Sequence, residues 1–247
     1  MKGIILAGGL GTRLFPLTKI TNKHLLPIYD KPMIYFPLMT LIDAGIQDIM
    51  IVTGGNHAGD FLRLLGNGSE FGLKDIYYTY QEGEGGIAAA LSLAEHFADN
   101  EKVVVILGDN IVEKSIKPYV QAFEKQKDGA RILLKEVQDP ERFGVPVFKD
   151  KSIVNIEEKP KAPKSSYAVT GIYMYDRRVF DYIKRLKPSG RGELEISDVN
   201  NFYIEDNMLE YNMMNGWWTD AGTFESMYHA AQLIEQGNSH IYSRMMS

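Results

Sequence analysis

The chain of 247 residues contains no cysteine. Disulfide scaffolds, thiolate metal sites and cysteine nucleophiles are thereby excluded. A basic excess is missing as well: 27 Lys and Arg stand against 32 Asp and Glu, a net charge of −5. Nucleic-acid binders carry a basic patch or stripe, and docking on anionic lipid needs one too, so neither nucleic acid nor membrane is an expected partner. Long apolar runs are absent. The stretch from Val103 to Leu107 falls far short of the ~20 apolar residues of a membrane span. Met1 to Ala7 is cut by Gly8-Gly9 before it reaches the length of a secretory signal core, which points to the cytoplasm. No Gly-Lys-Ser or Gly-Lys-Thr occurs, which removes a P-loop.

What is present reads as an ordinary globular chain, 45% apolar and 24% charged. In the first half, short aliphatic runs at 2–7, 49–52, 76–80 and 103–107 alternate with helical patterns. One helix is expected to open at Pro32, run through Met33, Ile34, Leu38 and Leu41, and stop at Gly45. Others are expected over 61–65, closed by Gly66, and over 87–97. Successive β-α units imply a mostly parallel open sheet flanked by helices, a Rossmann-like α/β fold. After residue 128 strands dominate, at 130–137, 145–148, 153–157 and 168–175. Helices follow at 178–185 and 195–205, a strand near 209–213, and a last helix at 224–235. No linker divides the halves, so one domain over 1–247 with a β-rich elaboration is expected. The tail from Gln236 to Ser247, including Met245 and Met246, has no helical apolar stripe and is expected to fray.

The first strand runs into Gly8-Gly9-Leu10-Gly11-Thr12-Arg13. Glycines at the carboxyl end of such a strand let the backbone approach a phosphate, and Arg13 adds a planar fork of donors. A dinucleotide fingerprint would need glycine at position 14, which is Leu14. A plain glycine turn satisfies the spacing equally well. Lys23 is a second cation nearby, though a lone lysine is ordinarily a solvated charge. Asp109 ends an aliphatic strand, where a carboxylate suits Mg²⁺ or simply caps a turn. Asp220, before the last helix, has the same two readings, and Thr223 would cap that helix as well. Gln81 with Gly85 and Gly86 offers a planar amide beside open backbone, suited to a base edge. Glu158-Lys159 places opposite charges at a strand end, either for hydroxyls and a phosphate or as a solvated surface.

Together these segments resemble the sugar-1-phosphate nucleotidylyltransferase family. The resemblance rests on Gly8 to Leu14 with Pro16-Leu17-Thr18, Lys23-His24-Leu25-Leu26-Pro27, Leu107-Gly108-Asp109-Asn110, Asp139 to Val145, Glu157 to Pro160, Tyr167 to Tyr173 and Arg191 to Asp198. These blocks cover nearly the whole chain in order, and the later ones point to the thymidylyl-transferring branch. The resemblance implies a nucleotide-diphospho-sugar transferase type of fold, its nucleotide part over about 1–128, a sugar-phosphate part over 129–222 and a C-terminal helix over 223–236. It implies transfer of a thymidylyl group from dTTP to glucose 1-phosphate with Mg²⁺, by a homo-oligomer, dimer or tetramer. Gly8, Gly9, Gly11, Thr12, Arg13, Gln81, Gly86 and Asp109 would bind the nucleotide, with Arg13 and Lys23 catalytic. Gly144, Glu158, Lys159, Val169, Thr170 and Tyr173 would bind the sugar phosphate, and Asp109 and Asp220 the metal. Where family members often carry Gln beside the lysine, this chain has His24, which receives no base contact. Use of UTP or CTP, another sugar, or a catalytically silent binding protein remain open alternatives.

Overall fold

The structure, a computed structural model, describes residues 1–245. It opens with β1 (Lys2–Ala7), as the aliphatic run implies. Two short strands follow, β2 (Pro27–Ile28) and β3 (Lys31–Pro32), joined by a turn at Tyr29 and Asp30. Pro32 therefore closes a hairpin instead of opening a helix. The helix α1 (Tyr35–Asp43) starts later, where its amides no longer serve the hairpin segment: Met33 N donates to Leu26 O and Ile34 N to His24 O.

Next come β4 (Ile49–Gly54), α2 (Ala58–Leu65) and β5 (Ile76–Gln81). The helix expected over 87–97 is broken into α3 (Ile87–Ser92) and α4 (Glu95–Ala98). Ser92 Oγ donates to the Ala89 carbonyl, and the amides of Leu93 and Ala94 bond three residues back, which tightens and ends the first piece. β6 (Val103–Leu107), β7 (Asn110–Val112), α5 (Lys117–Lys125) and β8 (Ala130–Glu136) lead into the second half. There β9 (Gly144–Lys149), β10 (Ser152–Glu158) and β11 (Tyr167–Tyr175) precede α6 (Arg178–Arg185) and α7 (Ile196–Glu205). β12 (Leu209–Met213), β13 (Trp218–Asp220), α8 (Phe224–Glu235) and α9 (His240–Met245) complete the described residues.

The tail thus does not fray as expected: α9 forms, with Ile241 1% exposed against Val112, Ile116 and Met214. One well-placed isoleucine anchors it where a full stripe was sought. Met246, also named in that expectation, lies outside the described residues. No helix of the described residues is long and apolar enough to cross a membrane.

Nine strands make the main sheet. β6, β1, β4 and β5 run parallel, with Leu6 opposite Val52 on one side and Leu107 on the other. β11 is antiparallel to β6, and beyond that pairing it meets β8 and β9. Alternation along each central strand splits the core into two layers. Ile4, Leu6, Val103 and Val105 face one layer with Leu91, Phe180 and Tyr203; Ile5, Ala7, Val104 and Ile106 face the other with Leu38, Phe61 and Phe123. Each such buried aliphatic side chain contributes roughly 1.5–3 kcal/mol. The carboxyl ends of β1, β4, β5 and β6 converge on one edge, and the candidate site lies there.

Candidate active site

Leaving β1, the chain needs left-handed backbone at Gly9 (φ 88°) and Gly11 (φ 63°). Thr12–Leu14 then make a tight turn that carries the exposed Arg13 and buries Leu14. Gly8 is small for a reason: a β-carbon there would stand 2.6 Å from Gln81 Oε1. Gln81 is the last residue of β5, one position inside the strand, and its Nε2 donates to the Gly86 carbonyl at 3.4 Å. Gly8, Gln81 and Gly86 therefore meet at the carboxyl ends of β1 and β5. Gly86 (φ 89°) lies against the backbone of Leu194, whose N–H donates to Gly85 O at 2.8 Å.

Lys23 sits on a short turn capped by the Asn22 side chain, and its Nζ lies 2.5 Å from Asp109 Oδ2. Asp109 is buried just beyond β6. Burial alone would raise its carboxyl, but the adjacent charge of Lys23 brings it well below the usual carboxylate range, so it is ionised. Asn110 fixes its orientation. The Asn110 amide donates to Asp109 Oδ1 at 3.0 Å, while its oxygen accepts from Gly171 N at 3.0 Å and Trp218 Nε1 at 2.7 Å.

Asp220 arrives from the far end of the chain because β13 pairs antiparallel with β7, setting Asp220 opposite Asn110. The cap of α8 is Thr223, in a reciprocal pair with Ser226, so Asp220 is not used for capping. Burial, then the negative charge of Asp109, push its carboxyl up to about 6, against the pull of Arg142, Arg13 and Lys23. His24 is buried beneath Gly108 with Nδ1 2.7 Å from Asn22 Oδ1. Burial and the charge of Lys23 lower it to about 3, so the ring is neutral and serves packing.

A cavity of about 150 Å³ opens beside these groups. It is lined by Arg13, Asp109, Gly144, Glu158, Lys159, Val169, Tyr173 and Asp220 among the residues singled out above. Ser197 Oγ donates to Glu158 Oε2 at 2.6 Å, and a β-carbon on Gly144 would come 2.9 Å from that hydroxyl. Thr170 is the exception. Between Val169 and Gly171, which face the cavity, it points to the other side of β11 and its hydroxyl donates to Leu133 O at 3.0 Å.

Sequence reasoning did not single out Asn110, Arg142, Arg191, Ser197 or Trp218. Each lay inside or beside a quoted segment, and no local pattern marked it. Arg142 Nη2 reaches both oxygens of Asp220, at 3.1 and 3.0 Å, and Nη1 lies 2.7 Å from Asp139 Oδ2. Arg191 pairs with Glu195 at 2.8 Å and stands 3.5 Å from Glu158.

A larger concavity of about 1010 Å³ lies at the opposite, amino-terminal end of β6, lined by Asp99, Arg177 and Asp206 among others. It is broad and open, and its charges are largely satisfied: Glu95 pairs with Lys184, and Arg178 with Asp176.

Among the described residues no group of three or more His, Asp or Glu converges as a self-sufficient metal cage. Mg²⁺ does not require one, since one or two carboxylates plus phosphates and waters suffice. Asp109 and Asp220 fit that demand. Their like charges are close enough for one to raise the other's pKa, which a shared cation would relieve.

The model of the nucleotidyl transferase family matches residues 2–237. The chain belongs to that family. A glucose-1-phosphate thymidylyltransferase of Neisseria meningitidis is 48% identical over 95% of this chain and 83% of its own. One of Mycolicibacterium smegmatis is 45% identical over 95% and 82%. A Bacillus anthracis crystal structure, provisionally assigned as a glucose-1-phosphate thymidylyltransferase and holding sucrose, is 58% identical, with a TM-score of 0.90 and 94% of each chain covered. A UDP-glucose pyrophosphorylase complexed with UDP-glucose has a TM-score of 0.83 at 23% identity, over 96% of this chain and 98% of its own. That likeness is one of fold: a mostly parallel sheet flanked by helices.

Proposed function

We propose that the chain transfers a thymidylyl group from dTTP to glucose 1-phosphate, giving dTDP-glucose and pyrophosphate, with Mg²⁺. The observation that carries the reading is the pairing of β13 with β7, which sets Asp220 opposite Asn110 and so next to Asp109, with both carboxylates lining the cavity of Glu158 and Lys159. The named activity of the relatives supplies the base and the sugar.

In this reading Gly8, Gly9, Gly11 and Thr12 bring backbone amides to the triphosphate, and Gln81 and Gly86 meet the thymine. Gly144, Glu158, Lys159, Val169 and Tyr173 receive the sugar phosphate, with Thr170 bracing β11 from behind. A sugar-phosphate oxygen attacks the α-phosphorus in line and pyrophosphate leaves. The protein supplies position and charge, and needs no nucleophile of its own. Arg13 and Lys23 neutralise the phosphates as charge redistributes, and Asp109 and Asp220 hold the metal. Bound Mg²⁺ screens the negative charge of the transferring phosphates.

Residues 1–247 are read as one domain: nucleotide binding over about 1–128, sugar-phosphate binding over 129–222, and the closing helix over 223–236. A cytoplasmic homo-oligomer, dimer or tetramer, supplying dTDP-glucose for dTDP-rhamnose and polysaccharide synthesis is consistent with this reading. Pyrophosphate release from glucose 1-phosphate with dTTP, UTP, CTP, ATP or GTP in turn, with and without Mg²⁺, tests it. Metal-dependent release fastest with dTTP is the expected result; preference for another nucleotide would overturn the base assignment.

A further inference from the structure

Arg142 has no role in the reaction as drawn above, yet it is placed at its centre. One terminal nitrogen straddles both oxygens of Asp220, at 3.1 and 3.0 Å. The other is tied at 2.7 Å to Asp139, at the exposed rim of the same turn. The guanidinium lies over the Phe143 ring, 5.1 Å from its centroid, and Phe143 packs edge-on against Trp218. It lines the same cavity as Arg13 and Lys159.

Asp220 and Asp109 are occupied in the same manner. Lys23 sits on Asp109 and Arg142 on Asp220, so each carboxylate assigned to the metal carries one side-chain cation. The two pairs are electrically neutral. A divalent cation on the two carboxylates is neutral too, and it sets two side-chain cations free. The substrates arrive with phosphate charges that need two such partners. Lys23 already has that second role in the reading above, and Arg142 stands in the symmetrical position with a phosphate cavity in front of it.

Resting on that reading, we propose that Arg142 and Asp220 form an exchangeable ion pair: the guanidinium stands in for the metal on Asp220, and passes to a substrate phosphate when the metal binds. Its tether to Asp139 keeps it at the cavity mouth through the exchange, and the face of Phe143 supports it on the way. No bond is made or broken; two ion pairs trade partners. This differs from a static brace between the Asp139 turn and β13, in which Arg142 would stay on Asp220 throughout.

Loss of a neighbouring cation favours metal binding by itself, so exchange is separated from a brace by tighter metal binding together with a lost kcat that the Lys variant partly recovers. Mn²⁺ titrated into nucleotide-free protein, followed by the electron paramagnetic resonance of the free ion, reads the metal binding directly. Exchange requires Arg142→Ala to bind Mn²⁺ about two- to fivefold more tightly than wild type, the size of a partly exposed ion pair. The same variant should lose kcat on the order of 10²-fold, as when one pre-organised donor is removed. Arg142→Lys, which keeps the charge, should recover part of kcat and bring Mn²⁺ affinity back toward wild type. Unchanged or weaker Mn²⁺ binding in a folded Arg142→Ala overturns the proposal, and so does an unchanged kcat. If Arg142→Ala does not fold, Arg142→Gln takes its place in the same titration. A wild-type chain that releases no pyrophosphate from dTTP and glucose 1-phosphate would overturn the functional reading alone; unchanged or weaker Mn²⁺ binding in Arg142→Ala would still overturn the guanidinium as the stand-in on Asp220.

Discussion

The carbonyl oxygen of Leu194 stands 2.7 Å from the point a β-carbon on Gly86 would occupy. Leu194 N donates to Gly85 O at 2.8 Å, and Ala88 N donates back to Leu194 O at 3.2 Å. The loop between β5 and α3 and the loop that carries Arg191 are thus one backbone-bonded unit, and they are so only because position 86 has no side chain. Its φ of 89° adds a second reason for glycine. Gly86→Ala should cost about 1–3 kcal/mol of stability. It should also raise the KM for dTTP and for glucose 1-phosphate together. Urea unfolding and initial-rate kinetics check this. A rise confined to dTTP would mean that the two loops act separately.

Asp220 is held in the folded chain at an energetic loss. Burial and the charge of Asp109 lift its carboxyl from 3.8 to about 6. Between those values the folded chain binds more protons than the unfolded one, so stability falls as pH rises through the window and the loss is complete above it. Asp109 is the reverse case, ionised beside a mostly buried Lys23. Asp220→Asn and Asp109→Asn should both abolish most turnover, since in the proposed reaction each would weaken the hold on the metal. Their stabilities should part. Near neutral pH and without ligands, Asp220→Asn should be as stable as wild type or gain about 1–3 kcal/mol. Asp109→Asn, which strands Lys23, should lose about 3 kcal/mol. Equal losses in the two variants would show that Asp220 is not strained by Asp109.

The difference between these two aspartates also marks what was legible in the sequence. Asp109 follows a five-residue strand buried on both faces, and such a run announces its own carboxyl end. The bounds of α6 and α8 were equally plain, α8 because Thr223 caps it. β7 and β13 have three residues each, too few for any periodicity, and they exist because they pair with each other. The Trp218 and Asn110 side chains that meet there are 108 positions apart. For that reason the position of Asp220 before the last helix left a cap and a metal ligand equally open, the family resemblance alone favoured the metal, and Arg142 was not singled out at all. Thr170 was open to correction from the start. With Val169 and Tyr173 assigned to one face of a strand, the period of two sends residue 170 to the other.

His24 should leave a mark on acid stability. Burial and the charge of Lys23 lower it from 6.5 to about 3, so the unfolded chain binds a proton that the folded chain refuses. Stability from this group is fully present above 6.5 and falls as pH drops, by about 1.4 kcal/mol per unit until the lower value is reached. Asp220 acts in the opposite sense between 3.8 and 6, so wild type alone does not isolate the effect. The comparison with His24→Gln does. The gap in unfolding free energy between the two chains should move in favour of the variant as pH falls from 7 to about 5, by roughly 2 kcal/mol. A pH-independent gap would show that the folded ring takes up its proton as readily as the unfolded one.

The last helix depends on a carboxylate in an unfavourable place. Asp43 is the final residue of α1, where the helix dipole disfavours negative charge, and it is buried. Ser115 Oγ donates to its Oδ2, and α9 brings two basic groups to Oδ1, His240 Nε2 and Arg244 Nη1, each at 3.2 Å. The docking of α9 therefore rests on this polar knot and on Ile241, which fills the core beside Val112 and Ile116. Short terminal elements of this kind open locally at free energies below that of global unfolding. Asp43→Asn and Ile241→Ala should each speed amide hydrogen exchange over 238–245 while leaving the slow amides of β1 and β6 unchanged. For Ile241→Ala the local opening free energy should drop by about 2 kcal/mol or more, the lower end for a buried isoleucine. Exchange that quickens equally in α9 and in β1 would show that the last helix unfolds only with the whole protein. Exchange unchanged over 238–245 would show that neither group holds it down.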